Sequence, residues 1–471
     1  MNKLKKVCAL ALSLGLALCI SACGGGEGGK GGGGGNSGGL KQVDALPSYE
    51  EQTMWIGAWN NPPATEQAYR YLEDGGFNMV FTWNNNPTAL SEHLRLGAEH
   101  NVKIYAMLGT SKVATPVEEV NENWLDTYSD YEGLGGFSYM DEPGQNAYEG
   151  LGLLAENHDK NYSDIDYYVN LYPTSFFAQN SENVGLTYAE YVEKFCESCL
   201  SKLYNTRRIL SFDHYCMSLG TNGGYLSETW LETVETIARY GKEYDAMTHA
   251  FLLTTKHYSY LAQTYESLRF QANVYMAYGV QGLSHFTYSG GFNDYPVDPG
   301  TGLPVGDGRL YYDMAQLNSE LLAWDDIFLA FDWKEVMHVT GSDNLAESAA
   351  YTNPVLSFAL DPVDKIDYVE EVTATKDTIV GSFTDENGNI GLMVTNFDFP
   401  TAVTGLDDEV ADAPDFSTLG TNVVTITVPG ANTAMIVENG ELSVVDVTDG
   451  KIELALEPAG AAFVIPLNLV N

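Results

Sequence analysis

Asp141 and Glu142 are adjacent acids that follow a short apolar run (residues 135–140) and precede Pro143. Two neighbouring carboxylates repel each other and burial penalises charging either one, so a carboxyl pKa in such a pair is driven up. This is how a side chain becomes able to hand over a proton near neutral pH. Glu142 therefore reads as a general acid/base, in preference to a structural carboxylate paired with lysine or arginine. Asp213 ends another apolar run (209–214) and is the best-placed second carboxylate, with His214 and Tyr215 beside it to orient a ligand or tune the acid. Spaced His and Cys groups that would suggest a metal site are missing from the pattern, as is a Gly-x-Ser-x-Gly elbow. The expected chemistry is acid–base work with no metal and no cofactor.

The elements that must position these acids recur regularly. Apolar, β-rich runs fall at 54–59, 78–83, 102–108, 135–140, 167–172, 209–214, 246–253 and 283–288. Helical patterns lie between them at 66–73, 89–100, 117–128, 147–157, 188–203, 226–240 and 261–278, with a last one at 311–324. Continuous apolar strands joined by helices require a parallel sheet buried on both faces. Eight such units predict an α/β fold, a (β/α)8 TIM barrel over residues 47–330. An open doubly wound sheet would need a glycine-rich phosphate loop after its first strand, and Gly57-Ala58-Trp59-Asn60-Asn61-Pro62-Pro63 is not one. From residue 331 to 471 the pattern becomes short alternating strands broken by turns such as 385–389 and Asn439-Gly440, which predicts a small antiparallel β-sandwich.

In this barrel the reactive end is the C-terminal end of the strands. The eight runs deliver there Trp59, Asn60 and Asn61; Trp83, Asn84 and Asn85; Gly109 and Thr110; Asp141 and Glu142; Asn170 and Tyr172; Asp213, His214 and Tyr215; His249 with Thr254, Thr255 and Lys256 beyond it; and Tyr288 with Asn293 and Asp294 further on. Rings that stack on sugar faces, amides that bond hydroxyls and carboxyls that can cleave an acetal make carbohydrate the expected ligand. The expected subsite is Trp59, Trp83, Asn170, Tyr172, His214, Tyr215, His249 and Tyr288.

With 64 Asp and Glu against 23 Lys and Arg, the net charge of −41 excludes nucleic acid as a partner, because phosphates need clustered cations. Residues 1–23 have a cationic start (Lys3, Lys5, Lys6), an apolar run too short to span a bilayer, and the ending Ile20-Ser21-Ala22-Cys23. That ending resembles the lipobox of bacterial lipoproteins, so Cys23 is the expected lipidation site and the only expected link to a membrane. Residues 24–46, glycine-rich over most of their length, are expected to be a flexible tether holding the chain outside a bacterial cell. Cys196, Cys199 and Cys216 are expected to be buried thiols or to form one incidental disulfide, since the first two sit in a helical pattern rather than in the setting of a redox motif.

The stretch Gly135-Gly136-Phe137-Ser138-Tyr139-Met140-Asp141-Glu142-Pro143 resembles the fourth-strand motif of clan A barrel glycoside hydrolases, and residues 268–288 resemble the helix leading into their eighth strand, especially in bacterial proteins similar to family 42 β-galactosidases. The resemblance implies a glycosidase with Glu142 as acid/base and a small β-domain behind the barrel. Two positions depart from the pattern: Asp141 stands where such enzymes carry Asn, and residues 246–256 contain no Glu to serve as the strand-seven nucleophile. An adjacent Asp-Glu is also similar to barrel enzymes acting on N-acetylhexosaminides, in which the acetamido group of the substrate is the nucleophile. Three pairings stay open: Glu142 with Asp213, Glu142 with Asp141 assisting the substrate, or Glu142 with a loop acid such as Asp294. The alternative from another class is a surface lipoprotein that binds glycan on a degenerate barrel without turnover.

Overall fold

The computed structural model describes residues 40–83, 87–107, 122–292, 294–348 and 350–470. The signal segment, Cys23 and most of the tether lie outside them, as do Asn84, Asn85, Gly109, Thr110 and Asn293. Eight parallel strands close into a barrel: β1 (Trp55–Ala58), β2 (Met79–Thr82), β3 (Lys103–Met107), β4 (Leu134–Asp141), β5 (Asp166–Leu171), β6 (Ile209–Asp213), β7 (Met247–Leu253) and β8 (Gly282–Phe286). The helices around it are α1 (Glu66–Asp74), α2 (Pro87–Glu99), α3 (Glu122–Tyr128), α4 (Tyr148–Asn161), α5 (Tyr188–Ser198), α6 (Trp230–Tyr244), α7 (Tyr265–Ala277) and α8 (Arg309–Leu321). The expected (β/α)8 architecture is therefore present. Between β6 and α6 lies a hairpin, Met217–Gly220 paired with Gly223–Leu226, in a stretch to which the periodicity assigns no element, and the helix expected from residue 226 begins at Trp230.

Side-chain alternation assigns each strand residue to one of two environments. On β5, Tyr167, Val169 and Leu171 pack under the helices, whereas Tyr168 joins Phe81, Tyr105, Ile209 and Phe251 inside the barrel. The pairing of β4 with β5 slips between Ser138 and Met140, so that Asp141 stands opposite Asn170. Such a bulge re-aims the side chains that follow it, and here it brings an acid to the strand end beside an amide.

Behind the barrel come β9 (Phe331–Val339), β10 (Glu371–Ala374), β11 (Thr378–Asp385), β12 (Ile390–Asn396), β13 (Asn422–Thr427), β14 (Thr433–Glu438), β15 (Glu441–Asp446), β16 (Lys451–Leu456) and β17 (Ala461–Leu469). They form an antiparallel sheet ordered β9-β11-β12-β17-β14-β15 and a smaller one ordered β10-β13-β16. Val380, Leu392, Val394 and Val464 of the first share an apolar core with Val424, Ile426, Ile452 and Leu454 of the second, which is the expected sandwich. The end of the expected tether is a correction: Gln42–Val43 pairs parallel with β17 through Gln42↔Asn468 and Val43↔Leu469. Satisfying backbone groups along a sheet edge outweighs the freedom of two residues that are not glycine. Cys196, Cys199 and Cys216 are free and buried.

Barrel and sandwich are packed together through α7, β11 and β12. Gly381 on β11 permits this approach, because a Cβ there would sit 1.9 Å from the Ala277 carbonyl oxygen. The Trp333 indole N–H donates to the same carbonyl at 3.2 Å, and Tyr278 and His338 are hydrogen-bonded at 3.0 Å. Replacing Gly381 by Val is expected to destabilise the protein by about 1–3 kcal/mol through overpacking. Denaturant unfolding would measure this, with Gly420→Ala, which meets no atom within 4 Å, staying near wild type.

Candidate active site

The inward faces of β4, β5 and β6 converge at the C-terminal mouth. Asn170, the last inward residue of β5, donates through Nδ2 to Asp141 at 3.2 Å and to Asp213 at 2.8 Å. Its Oδ1 accepts from Ser211 Oγ at 2.9 Å, which fixes the amide orientation. Two N–H bonds diverging from one amide nitrogen hold their acceptor oxygens about 5 Å apart. Ser211 and Tyr168 both reach His249 Nδ1, at 3.0 and 3.1 Å, and His249 Nε2 meets Ser284 at 2.9 Å. A buried polar chain thus runs from the barrel interior up to the two aspartates.

Glu142 follows directly, with its backbone in the left-handed region at φ 48° and its N–H donated to the Asn170 carbonyl at 2.9 Å. A non-glycine residue held there is strained, and such strain gathers at functional sites. The twist swings the Glu142 side chain into a cleft of about 300 Å³ that Asp141, Asp213 and Asn170 also line.

The electrostatics separate the three acids. Asp141 remains solvent-accessible from the cleft, but the protein around its carboxyl raises it to about 6, against the opposing pull of the Asn170 hydrogen bond. Burial, and next the charge of Asp141, push Asp213 up to about 7, while donors from Asn170 and Tyr215 pull the other way. Glu142 goes furthest, to about 9, through burial first and then the charges of Asp213 and Asp141. At neutral pH Asp141 is ionised and Glu142 holds its proton, a division of labour that environment alone imposes on three similar groups.

Aromatic rings complete the walls. Trp59 meets Phe251 edge-on at 5.2 Å, Tyr215 stacks on Phe286 at 4.8 Å, and His257 stacks on Phe292 at 4.5 Å. Tyr258 projects at the rim, 89% exposed, on a residue that is itself left-handed at φ 49°. Phe176 is also exposed there. Phe176, Phe251, His257, Tyr258, Tyr260, Phe286 and Phe292 are not among the expected site residues: Phe251 and Phe286 lie within their strands, and the other five lie on segments beyond the strand ends. The run His257-Tyr258-Ser259-Tyr260, four residues past β7, was the available signal.

Of the residues expected from sequence, Glu142, Asp141, Asp213, Asn170, Trp59 and Tyr215 come together in the cleft. Trp83 stands beside it, 46% exposed and edge-on to Trp59 at 5.4 Å. Tyr172 lies behind Glu142, close enough to feel its charge. His249 is a correction: it faces inward but is fully buried one layer below Phe251, hydrogen-bonded within the barrel and unable to touch a ligand at the mouth. Tyr288 is another, since the chain turns after β8 and buries its ring against Phe77 at 4.9 Å. His214 is buried too, bonded to Thr233 and Ser227 at 2.8 and 2.9 Å, on the side of a neighbouring cavity. Asp294 is not among the residues lining the cleft.

A larger cavity, about 880 Å³, lies at the opposite end of the barrel beside Trp55, Met247 and Trp333. Its Arg207 is paired with Asp166 at 2.7 Å and laid on the Trp55 ring at 4.0 Å, so that guanidinium is committed to structure. The reactive constellation belongs to the smaller cleft.

No family model and no curated protein sequence matches the chain, so the likeness to family 42 β-galactosidases rests on the quoted motifs alone. Among solved structures it is similar to a candidate α-galactosidase/melibiase from Bacteroides fragilis NCTC 9343, at 11% identity and a TM-score of 0.47, over 88% of this chain and 79% of that one. A GH27 β-L-arabinopyranosidase from Geobacillus stearothermophilus aligns at 10% identity and 0.46, over 88% and 96%. An Anoxybacillus α-amylase aligns at 10% and 0.38, over 89% and 100%. Likeness of this order leaves the chemistry to be argued from the residues of the cleft.

All three acids carry folded-state values above the ordinary carboxyl range of about 4. The folded chain therefore binds more protons than the unfolded one between that range and about 9, and stability contributed by these groups is lost as pH rises through this window. Glu142→Gln removes the largest contribution. It is expected to unfold later than wild type in denaturant at pH 9 and to match it at pH 4.

Proposed function

We propose that the protein is a glycoside hydrolase acting on an oligo- or polysaccharide outside a bacterial cell. The observation that carries this reading is the convergence of three carboxyls, with pKa values spread from about 6 to about 9, on one aromatic-walled cleft at the mouth of the barrel. Acetal cleavage asks for a proton donor at the leaving oxygen and an anion near the anomeric carbon. Glu142, protonated at neutral pH, is the donor in this reading. Asp141, ionised and held by Asn170, is the anion that steadies the developing oxocarbenium ion or the substrate group that attacks it. Trp59, with Trp83 at the edge and Tyr215 across from it, packs against the sugar ring.

A second assignment of the acids is favoured by the Asn170 clamp. Asp141 and Asp213, with bonded oxygens about 5 Å apart, approach the separation of about 5–5.5 Å used by retaining glycosidases, in which the ionised member attacks and the other donates the proton. Asp213, raised to about 7, would then be the donor.

Glu142→Gln and Asp213→Asn, assayed across pH on aryl glycosides with good and poor leaving groups, separate the two assignments. With Glu142 as donor, Glu142→Gln is expected to lower kcat by about 100-fold or more, most for poor leaving groups. In wild type the alkaline limb then falls near pH 9, whereas Asp213 as donor puts it near pH 7. Full activity in both variants would remove both assignments of the proton donor, and sugar binding without reducing-end release from wild type would overturn the hydrolase reading in favour of a glycan-capturing protein.

The location belongs to the same proposal and is supported by the Ile20-Ser21-Ala22-Cys23 motif. Cys23→Ser is expected to abolish incorporation of labelled fatty acid and to move the protein out of the membrane fraction. An unchanged distribution would count against a lipid anchor.

A further inference from the structure

The cleft does not stop at the carboxyls. Phe176, Tyr215 and Tyr260, which form part of its wall, also line a second cavity of about 710 Å³ that runs toward the sandwich. One side of that cavity comes from the barrel: Tyr225 of the 217–226 hairpin, 51% exposed, with Ser227 and Glu228 after it. The other side comes from beyond the barrel: Asn353, Asp398 and the half-buried ring of Phe399.

We propose that the two cavities form one continuous groove for a neutral oligosaccharide, in which the sandwich supplies the distal subsites. The inference deepens the hydrolase reading and rests on it for the reaction, while the groove itself can be tested by binding alone. Rings at intervals, with hydroxyl, amide and carboxylate groups between them, suit successive sugar units, whose faces are apolar and whose edges carry hydroxyls. Among the described residues lining either cavity there is no lysine or arginine; of the carboxyls there, Asp141 is ionised at neutral pH, whereas Glu142 keeps its proton and Asp398 lies 3.8 Å from Lys376 Nζ. Uronic, sulfated or phosphorylated sugars would meet the Asp141 carboxylate and find no lysine or arginine on the lining itself.

The groove is also held open by direct links between the two domains. Gly224 donates its N–H to the Thr401 carbonyl at 2.9 Å, and a Cβ at Gly223, where φ is +113°, would fall 2.1 Å from that oxygen. Lys256 bonds Asp412 at 2.7 Å, and Ala262 N–H reaches the Asp412 carbonyl at 3.0 Å. Walls fixed in advance reduce the ordering cost of binding a long ligand.

The test is calorimetric titration of the full chain with neutral malto-, manno-, galacto- and cello-oligosaccharides of two to six units, and with oligogalacturonates as the anionic probe. In the neutral series that binds, affinity is expected to rise about tenfold or more from disaccharide to hexasaccharide, the scale of one or two ring contacts. Tyr225→Ala or Phe399→Ala is expected to bring the hexasaccharide close to the disaccharide. Phe399 also packs on Phe270, at 5.7 Å between ring centroids, so Tyr225→Ala carries the test if the other variant misfolds. Equal affinity for short and long chains, an unaltered length dependence in the Tyr225 variant, a preference for oligogalacturonate, or no binding in any neutral series would overturn the proposal. Length-dependent binding without bond cleavage would retire the hydrolase and leave the groove standing. Cleavage with length-independent binding would do the reverse.

Discussion

The candidate site depends on one amide. Asp141 and Asp213 project from strands on either side of β5, and without Asn170 between them they would face each other as two like charges in a desolvated cleft. One nitrogen donating to both converts that repulsion into a fixed spacing. The amide cannot reverse its orientation, because Ser211 holds its oxygen and is itself held by Tyr168 and His249. The histidine expected to touch ligand thus contributes from below, as part of the chain that orients the amide. Burial keeps its imidazole neutral, with a value lowered to about 3, so this support does not switch near physiological pH.

Three acids clustered this closely make the cleft electrostatically costly, and the fold bears that cost by keeping the proton on Glu142. The same burial that sharpens the chemistry opposes folding at high pH, a trade between function and stability common at strained sites. The left-handed backbone of Glu142 adds to it. Trp59, Phe251 and Phe286 line the same cleft and keep water from the acids, which raises their pKa values, while the bond from Glu142 N–H to the Asn170 carbonyl holds the strained residue in place.

Much of the architecture was legible from periodicity. A buried parallel strand must be apolar throughout and a helix covering it must carry a stripe, so eight alternations announce a closed barrel with little ambiguity. Asp141, Glu142, Asn170 and Asp213 were found because each sits at or just past the end of such a strand. His249 was misplaced by a single layer: its inward direction follows from alternation with Phe251, but its depth depends on where β7 ends. The wall residues Tyr258, Tyr260 and Phe292 lie on loops, whose path no period describes. The hairpin between β6 and α6 was hidden for the same reason.

What the amino-acid sequence determined by itself is what depends on neighbours along the chain: strand and helix order, the shift to short alternating strands after residue 330, and a pair of adjacent acids at the end of β4. Only tertiary structure decided which acids share one cleft, which of them keeps a proton, and that loops of the sandwich wall a cavity beginning at the barrel mouth. Those outcomes depend on distances across the barrel and on how much water reaches each carboxyl. Both are set by closure of the sheet and packing of the second domain, which bring together residues as far apart in the chain as Tyr225 and Phe399.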